Sequence, residues 1–157
     1  MPTPASVARH PIHPMLVGIP IGLWAFAMVA DLVHLFGWGS AVWKVIALYT
    51  IGGGIVAALI AAVPGFIDFT SISDRRVRKV ALIHMVVNLV VVGLFALSFW
   101  LRLISPLGGV PVAVSGVGTV LLGLGGWLGG ELVFVHGMGV EAPATRPPSR
   151  PAGRRTA

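Results

Sequence analysis

Four apolar stretches set the terms for this chain, because each is close to the roughly 20 residues that a helix needs to cross a bilayer core of about 30 Å. The first is Met15 to Phe36, MLVGIPIGLWAFAMVADLVHLF. The second runs from about Val42 to Val63, the third from Val80 to Leu101, and the fourth from about Pro111 to Val135. Composition agrees: 56% of the residues are hydrophobic and 10% are charged, against roughly 25% charged in a soluble domain. A chain so short of polar surface calls for lipid as its solvent. The first stretch is too long for the core of a cleaved signal peptide, and no A-x-A-like site follows it. It reads as a retained membrane span.

The links are short, so consecutive helices are expected to lie antiparallel as neighbours. Gly37 to Ala41 joins the first pair and Arg102 to Val110 joins the last. Between the second and third helices stands a polar link, PGFIDFTSISDRRVRK. In it Pro64 marks a helix end or kink, and Ser73 or Asp74 is the expected N-cap of the third helix. The fold expected is an all-α, integral-membrane, up-down bundle of four helices over residues 1–140. A basic, proline-rich tail, residues 141–157, is expected to be disordered and drawn to anionic lipid.

The basic residues orient the bundle. Arg9, Arg75, Arg76, Arg78, Lys79, Arg146, Arg150, Arg154 and Arg155 fall on the side of the two termini, and only Lys44 and Arg102 on the other. The positive-inside rule makes the terminal side cytoplasmic, with Trp38, Trp43 and Trp100 as an aromatic belt at the outer interface. The net charge of +6 therefore serves orientation. It lacks the aromatic interleaving of a nucleic-acid face, and no nucleic-acid partner is expected. Gly125 with Gly129, Gly126 with Gly130, and the series Gly54, Ala58, Ala62 are spaced to let helices approach closely, or to clear room for a flat cofactor.

The polar residues within this apolar frame collect at one end. His10 and His13 precede the first span in RHPIHPMLVGIP, Asp68 follows the second, His84 lies about a turn inside the third, and Glu131 and His136 end the fourth. Each X-Pro bond disfavours the α region at the preceding residue, so His10 and His13 are expected to be extended, with both imidazoles on one side and Pro14 opening the first helix. Asn88 lies one turn from His84 on the same helix face. Nearer the other end, Asp31 and His34 form a secondary pair at i,i+3, read as a hydrogen bond, an outer metal contact or part of a proton path. Ionisable residues inside a span cost several kcal/mol against lipid and normally mark function. The chain has no cysteine, which excludes thiolate zinc sites and cysteine-held iron–sulfur clusters.

The segments HPIHPMLVGIPIGLW, AAVPGFIDF, the His84…Asn88 pair and GWLGGELVFVHGMGV resemble a bacterial family of small four-helix membrane proteins catalogued as domain of unknown function 2231. The resemblance covers about residues 9 to 140 and implies a location in the bacterial plasma membrane. Its motif positions fall on His10, His13, Asp31, Asp68, His84, Asn88, Glu131 and His136. Some members look like fusions to a Rieske-type iron–sulfur domain, which hints at electron transfer by analogy. In this chain such a partner would be a separate redox or iron–sulfur protein.

Three functions follow as expectations. The preferred one is a membrane electron carrier with haem b or a non-haem iron, zinc or copper ion held by His10, His13, His84 and His136, supported by Asp68, Asn88 and Glu131. The second is a proton or small-ion transporter using Asp31, Asn88 and Glu131, which would need a homo-oligomer to line its path. The third is a non-catalytic anchor or assembly subunit. No nucleophile–base pair, phosphate loop or zinc-protease motif is present, so no catalytic residue is assigned.

Overall fold

The four apolar runs fold into four long helices in a computed structural model that describes residues 3–38, 40–105 and 109–140. Helix α1 spans Ile12–Leu35, α2 Val42–Thr70, α3 Arg75–Ile104 and α4 Val110–Gly130, and a π-helical turn, Glu131–Val135, extends α4. At 1.5 Å per residue even the 24-residue α1 is about 36 Å long, enough to cross a bilayer core. All four are long and apolar enough to be membrane spans, and each buries under a third of its span against the rest of the chain. The remaining side chains point outward: Val120 and Trp127 are 76% exposed and Phe134 87%. Such an apolar exterior is stable only in lipid. The chain is an all-α, multi-pass integral membrane protein.

The helix ends depart from expectation. Helix α2 continues seven residues past Val63 and carries Pro64 buried in its interior, so the polar link shrinks to residues 71–74. Membrane helices tolerate an interior proline in this way. Asp74 is the N-cap of α3, its carboxylate accepting from the amides of Arg76 (2.7 Å) and Val77 (3.3 Å). Backbone donation by these two residues holds its pKa below the usual carboxylate value.

Helix α1 starts earlier than read, at Ile12, so His13 is helical and not extended. Pro14 is then the third helical residue. The first four amides of a helix have no intrahelical partner, and the missing N–H of Pro14 is among them. The preceding residues form a small hairpin that the sequence did not announce, with β1 (Ser6–Val7) antiparallel to β2 (His10–Pro11). Its two-residue turn places Ala8 (φ 48°) and Arg9 (φ 67°) in the left-handed region. The expected tail, residues 141–157, and its arginines lie outside the described residues.

The core lies at mid-span. Trp24 of α1 stacks on Phe95 of α3 with ring centroids 4.3 Å apart and planes 5° from parallel. Ala27, Ile51, Val91 and Leu122 surround them. Trp24 Nε1 donates to the Ile51 carbonyl at 3.3 Å, and the indole lies so close to Gly54 that a Cβ there would come within 2.6 Å of its Cδ1. Gly54 thus seats a ring rather than a helix backbone, and Ala62, at the same spacing, is exposed.

Candidate functional site

The histidine-bearing end of the bundle is the one closed by the hairpin. Asp68, buried near the end of α2, accepts from the Ala5 amide at 2.9 Å. Pro11 packs against Gly139, whose φ of +75° and close approach (a Cβ would lie 3.0 Å from Pro11 Cγ) suit glycine. The hairpin therefore bridges from α2 to the segment after the π-helical turn. Asp68 organises this cover and does not reach the imidazoles as a ligand would.

Beneath the cover His13 of α1 meets His84 of α3, with ring centroids 6.3 Å apart and planes at 87°. Each ring is fixed in the same way. His13 Nδ1–H donates to the Ala61 carbonyl of α2 at 2.8 Å, and His84 Nδ1–H to the Gly125 carbonyl of α4 at 3.0 Å. A carbonyl can only accept, so Nδ1 carries the proton in both rings and Nε2 is the basic nitrogen. Pro64 deprives the Ile60 carbonyl of its helical donor; Ala61 is the next residue of that turn, and its carbonyl takes His13 as an outside donor. Four helices thus hold two imidazoles in one tautomer and orientation.

Glycines make the seats. A Cβ on Gly65 would come 2.7 Å from His13 Nδ1, and one on Gly129 would come 3.1 Å from His84 Cε1. A Cβ on Gly125 would come 3.0 Å from Asn88 Oδ1. The paired glycines of α4 thus divide. Gly125 and Gly129 face polar side chains, whereas Gly126 meets nothing within 4 Å and Gly130 meets only Phe134. Asn88 Nδ2–H donates to the His84 main-chain oxygen at 2.8 Å, and the same nitrogen lies against the ring, 3.3 Å from His84 Nδ1 and 3.4 Å from Nε2.

The other expected site residues share this end without joining the pair. The left-handed turn at Ala8 and Arg9 carries His10 outward, where it is exposed and its Nδ1–H donates to the Ala8 carbonyl at 2.8 Å. Its extended backbone was expected, but its position on the same side as His13 is corrected. Glu131 and His136 form a pair of their own at 3.9 Å on the π-helical turn. Among the described residues no group of three or more His, Asp or Glu is placed to hold a metal ion. The expected convergence of four histidines thus reduces to two that touch.

At the other end the expected Asp31–His34 hydrogen bond is replaced by a different partner. Arg102, assigned by sequence to a loop, is a residue of α3 that turns inward. Its Nη1–H and Nη2–H donate to Asp31 Oδ1 and Oδ2 at 2.8 and 2.5 Å. Its Nε–H donates to Ser98 Oγ at 3.3 Å and its Nη2–H to Ser115 Oγ at 3.2 Å. The side chains of Arg102 and Asp31 are 9% and 2% exposed. Sequence reading missed this network, although an aspartate and an arginine at the same depth of two spans should seek each other where charge is costly.

The profile of a family described as "Predicted membrane protein (DUF2231)" matches residues 9–142. The chain belongs to that family. The DUF2231 match takes in all four helices, the His13–His84 pair and the Asp31–Arg102 pair. No curated protein and no solved structure matches the chain.

Proposed function

We propose that His13 and His84 are the two protein ligands of a redox cofactor, haem b or a copper or iron ion, and that the protein carries electrons at the hairpin-covered face of its membrane. The observation that supports this reading is the shared fixing of the two rings, each Nδ1–H bonded to a main-chain carbonyl of a different helix. Metal-ligating histidines are commonly held in this manner, which sets the tautomer and raises the basicity of the other nitrogen. Two imidazoles on one ion, with metal–nitrogen bonds of about 2.0–2.1 Å, have ring centroids about 5–6.5 Å apart depending on the ligand angle. His13 and His84 stand at 6.3 Å.

Two ligands meet the axial demand of haem b, while a structural zinc site takes four and a catalytic one three. Zinc is therefore the weakest of the ions expected. When bound, either haem or a redox ion supplies a one-electron couple. The chain's own part is to hold the imidazoles, with Asn88 against His84 and with Asp68 keeping the hairpin across the mouth. Arg75, Arg76, Arg78 and Lys79, all exposed at this end, support a cytoplasmic orientation by the positive-inside rule and would offer a positive surface to a separate, acidic redox or iron–sulfur protein. The transporter reading loses support because both oxygens of Asp31 are held by Arg102.

The test is cofactor content of purified variants. His13→Ala and His84→Ala should each lose the cofactor, while His10→Ala, on the outside of the hairpin, should keep it. A folded His84→Ala protein with full cofactor would overturn the proposal.

A further inference from the structure

At the end of the bundle opposite the hairpin, all four helices contribute to a cavity of about 350 Å³. Its polar lining is Asp31, His34, Lys44 and Arg102, and its apolar wall includes Leu48 and Val112. We infer that this cavity binds a phosphate-type oxyanion, supplied either by a phospholipid headgroup or as free phosphate.

Charge is the first argument. Among the described residues the lining holds two permanent cations and one carboxylate, so their sum is positive by one charge with His34 neutral. The carboxylate does little to repel an anion, because both its oxygens already accept from Arg102. Arg102 is held rigidly by Asp31, Ser98 and Ser115. Those contacts use four of its five N–H donors, which leaves one on Nη1 for a ligand.

The second argument is an unmet hydrogen bond. His34 Nδ1 is buried and has no partner among the described residues. A buried polar atom in that state costs about 1–3 kcal/mol; Nδ1 does not open onto the cavity as it stands, but His34 lines it, and turning the ring toward the cavity would give Nδ1 a partner there. An oxyanion offers an acceptor to His34 and a negative charge to Lys44, which binds phosphate as a point charge. Depth is the third argument. Lys44 is the third residue of α2, Arg102 lies two residues from the end of α3 and His34 one from the end of α1. The cavity therefore opens at the level of the polar headgroups, outside the hydrocarbon core. The site is independent of the His13–His84 pair and stands or falls separately.

The experiment uses the full chain extracted in mild detergent. Native mass spectrometry reads retained phospholipid, and thermal melts read the effect of inorganic phosphate against chloride at matched ionic strength. Retention of an anionic phospholipid, lost in Lys44→Ala, assigns the site to a headgroup. No retained lipid, but a melting temperature that rises with phosphate and an apparent affinity weakened tenfold or more in Lys44→Ala, assigns it to the free anion. Lys44→Arg should stay within threefold of wild type in either case, and His34→Phe should weaken binding with Lys44 intact. Neither lipid nor a phosphate-specific shift in wild type, or binding unchanged in a folded Lys44→Ala protein, would overturn the inference.

Discussion

Replacing Asp31 with Asn tests whether the buried pair with Arg102 shapes the bundle. The change keeps the side chain's size and removes its charge, leaving a guanidinium only 9% exposed without a counter-ion. Two hydrogen bonds to a charged acceptor are lost or weakened, each worth about 1.5–3 kcal/mol, or about 3–6 together. Removing one partner of a buried pair generally costs about 3–5 kcal/mol, and the two estimates agree. The Ser98 and Ser115 hydroxyls stay satisfied, since one donates to the other across 2.7 Å and the second donates to the Pro111 carbonyl within reach of both. The loss therefore belongs to the ion pair. Arg102→Met should cost a similar amount by stranding the carboxylate, whereas Asp31→Asn with Arg102→Met should cost no more than either alone, because no buried charge remains. Unfolding by SDS titration in mixed micelles reads all three. Single losses below about 1 kcal/mol, the value of an exposed pair, or a double loss equal to the sum of the singles, would refute the reasoning.

Three further outcomes are expected. Gly65→Ala puts a Cβ 2.7 Å from His13 Nδ1 and should lower stability by about 1–3 kcal/mol, while Gly22→Ala, with nothing within 4 Å, should be neutral or slightly stabilising; thermal melts of the two compare them directly. Ala8→Gly relieves a left-handed φ of 48° and should stabilise the hairpin by about 0.5–1 kcal/mol, seen as slower hydrogen exchange at the Ala5 and Ile12 amides. The depressed pKa of Asp74 means that its capping contribution is fully present above the unfolded value of 3.8 and is lost as pH falls through the lower folded value. Exchange of the Arg76 and Val77 amides should accelerate over that acid window relative to neighbouring amides, and Asp74→Asn should abolish the acceleration.

The four spans were legible because lipid demands a length of apolar sequence that few other structures need. Their ends were less so. Pro64 reads as a stop, yet α2 runs through it, and the imidazole that bonds this turn, His13, lies 51 residues earlier in the chain. Likewise the helical state of His13 depends on α1 beginning two residues before Pro14, a choice made by the hairpin and not by the X-Pro bond. The candidate site was half visible. His13 and His84 stood out as imidazoles at one depth, but their acceptors are the carbonyls of Ala61 and Gly125, and main-chain groups leave no mark in a sequence. His10 reads as one of the group because nothing in the residues Ala8 and Arg9 signals a two-residue turn, which favours Asn-Gly. Arg102 reads as a loop cation because the apolar run stops at Leu101, three residues before α3 does.

The central claim is that two imidazoles beneath the hairpin hold a redox cofactor. The most direct measurement is an absorption spectrum of the detergent-purified protein, oxidised and then reduced with dithionite, with metal analysis on the same sample. The account predicts either a Soret band that shifts on reduction, with iron near one per chain, or no Soret band and near-stoichiometric copper or iron. A colourless, metal-free protein, isolated folded from cells supplied with haem precursor and metals, would contradict it.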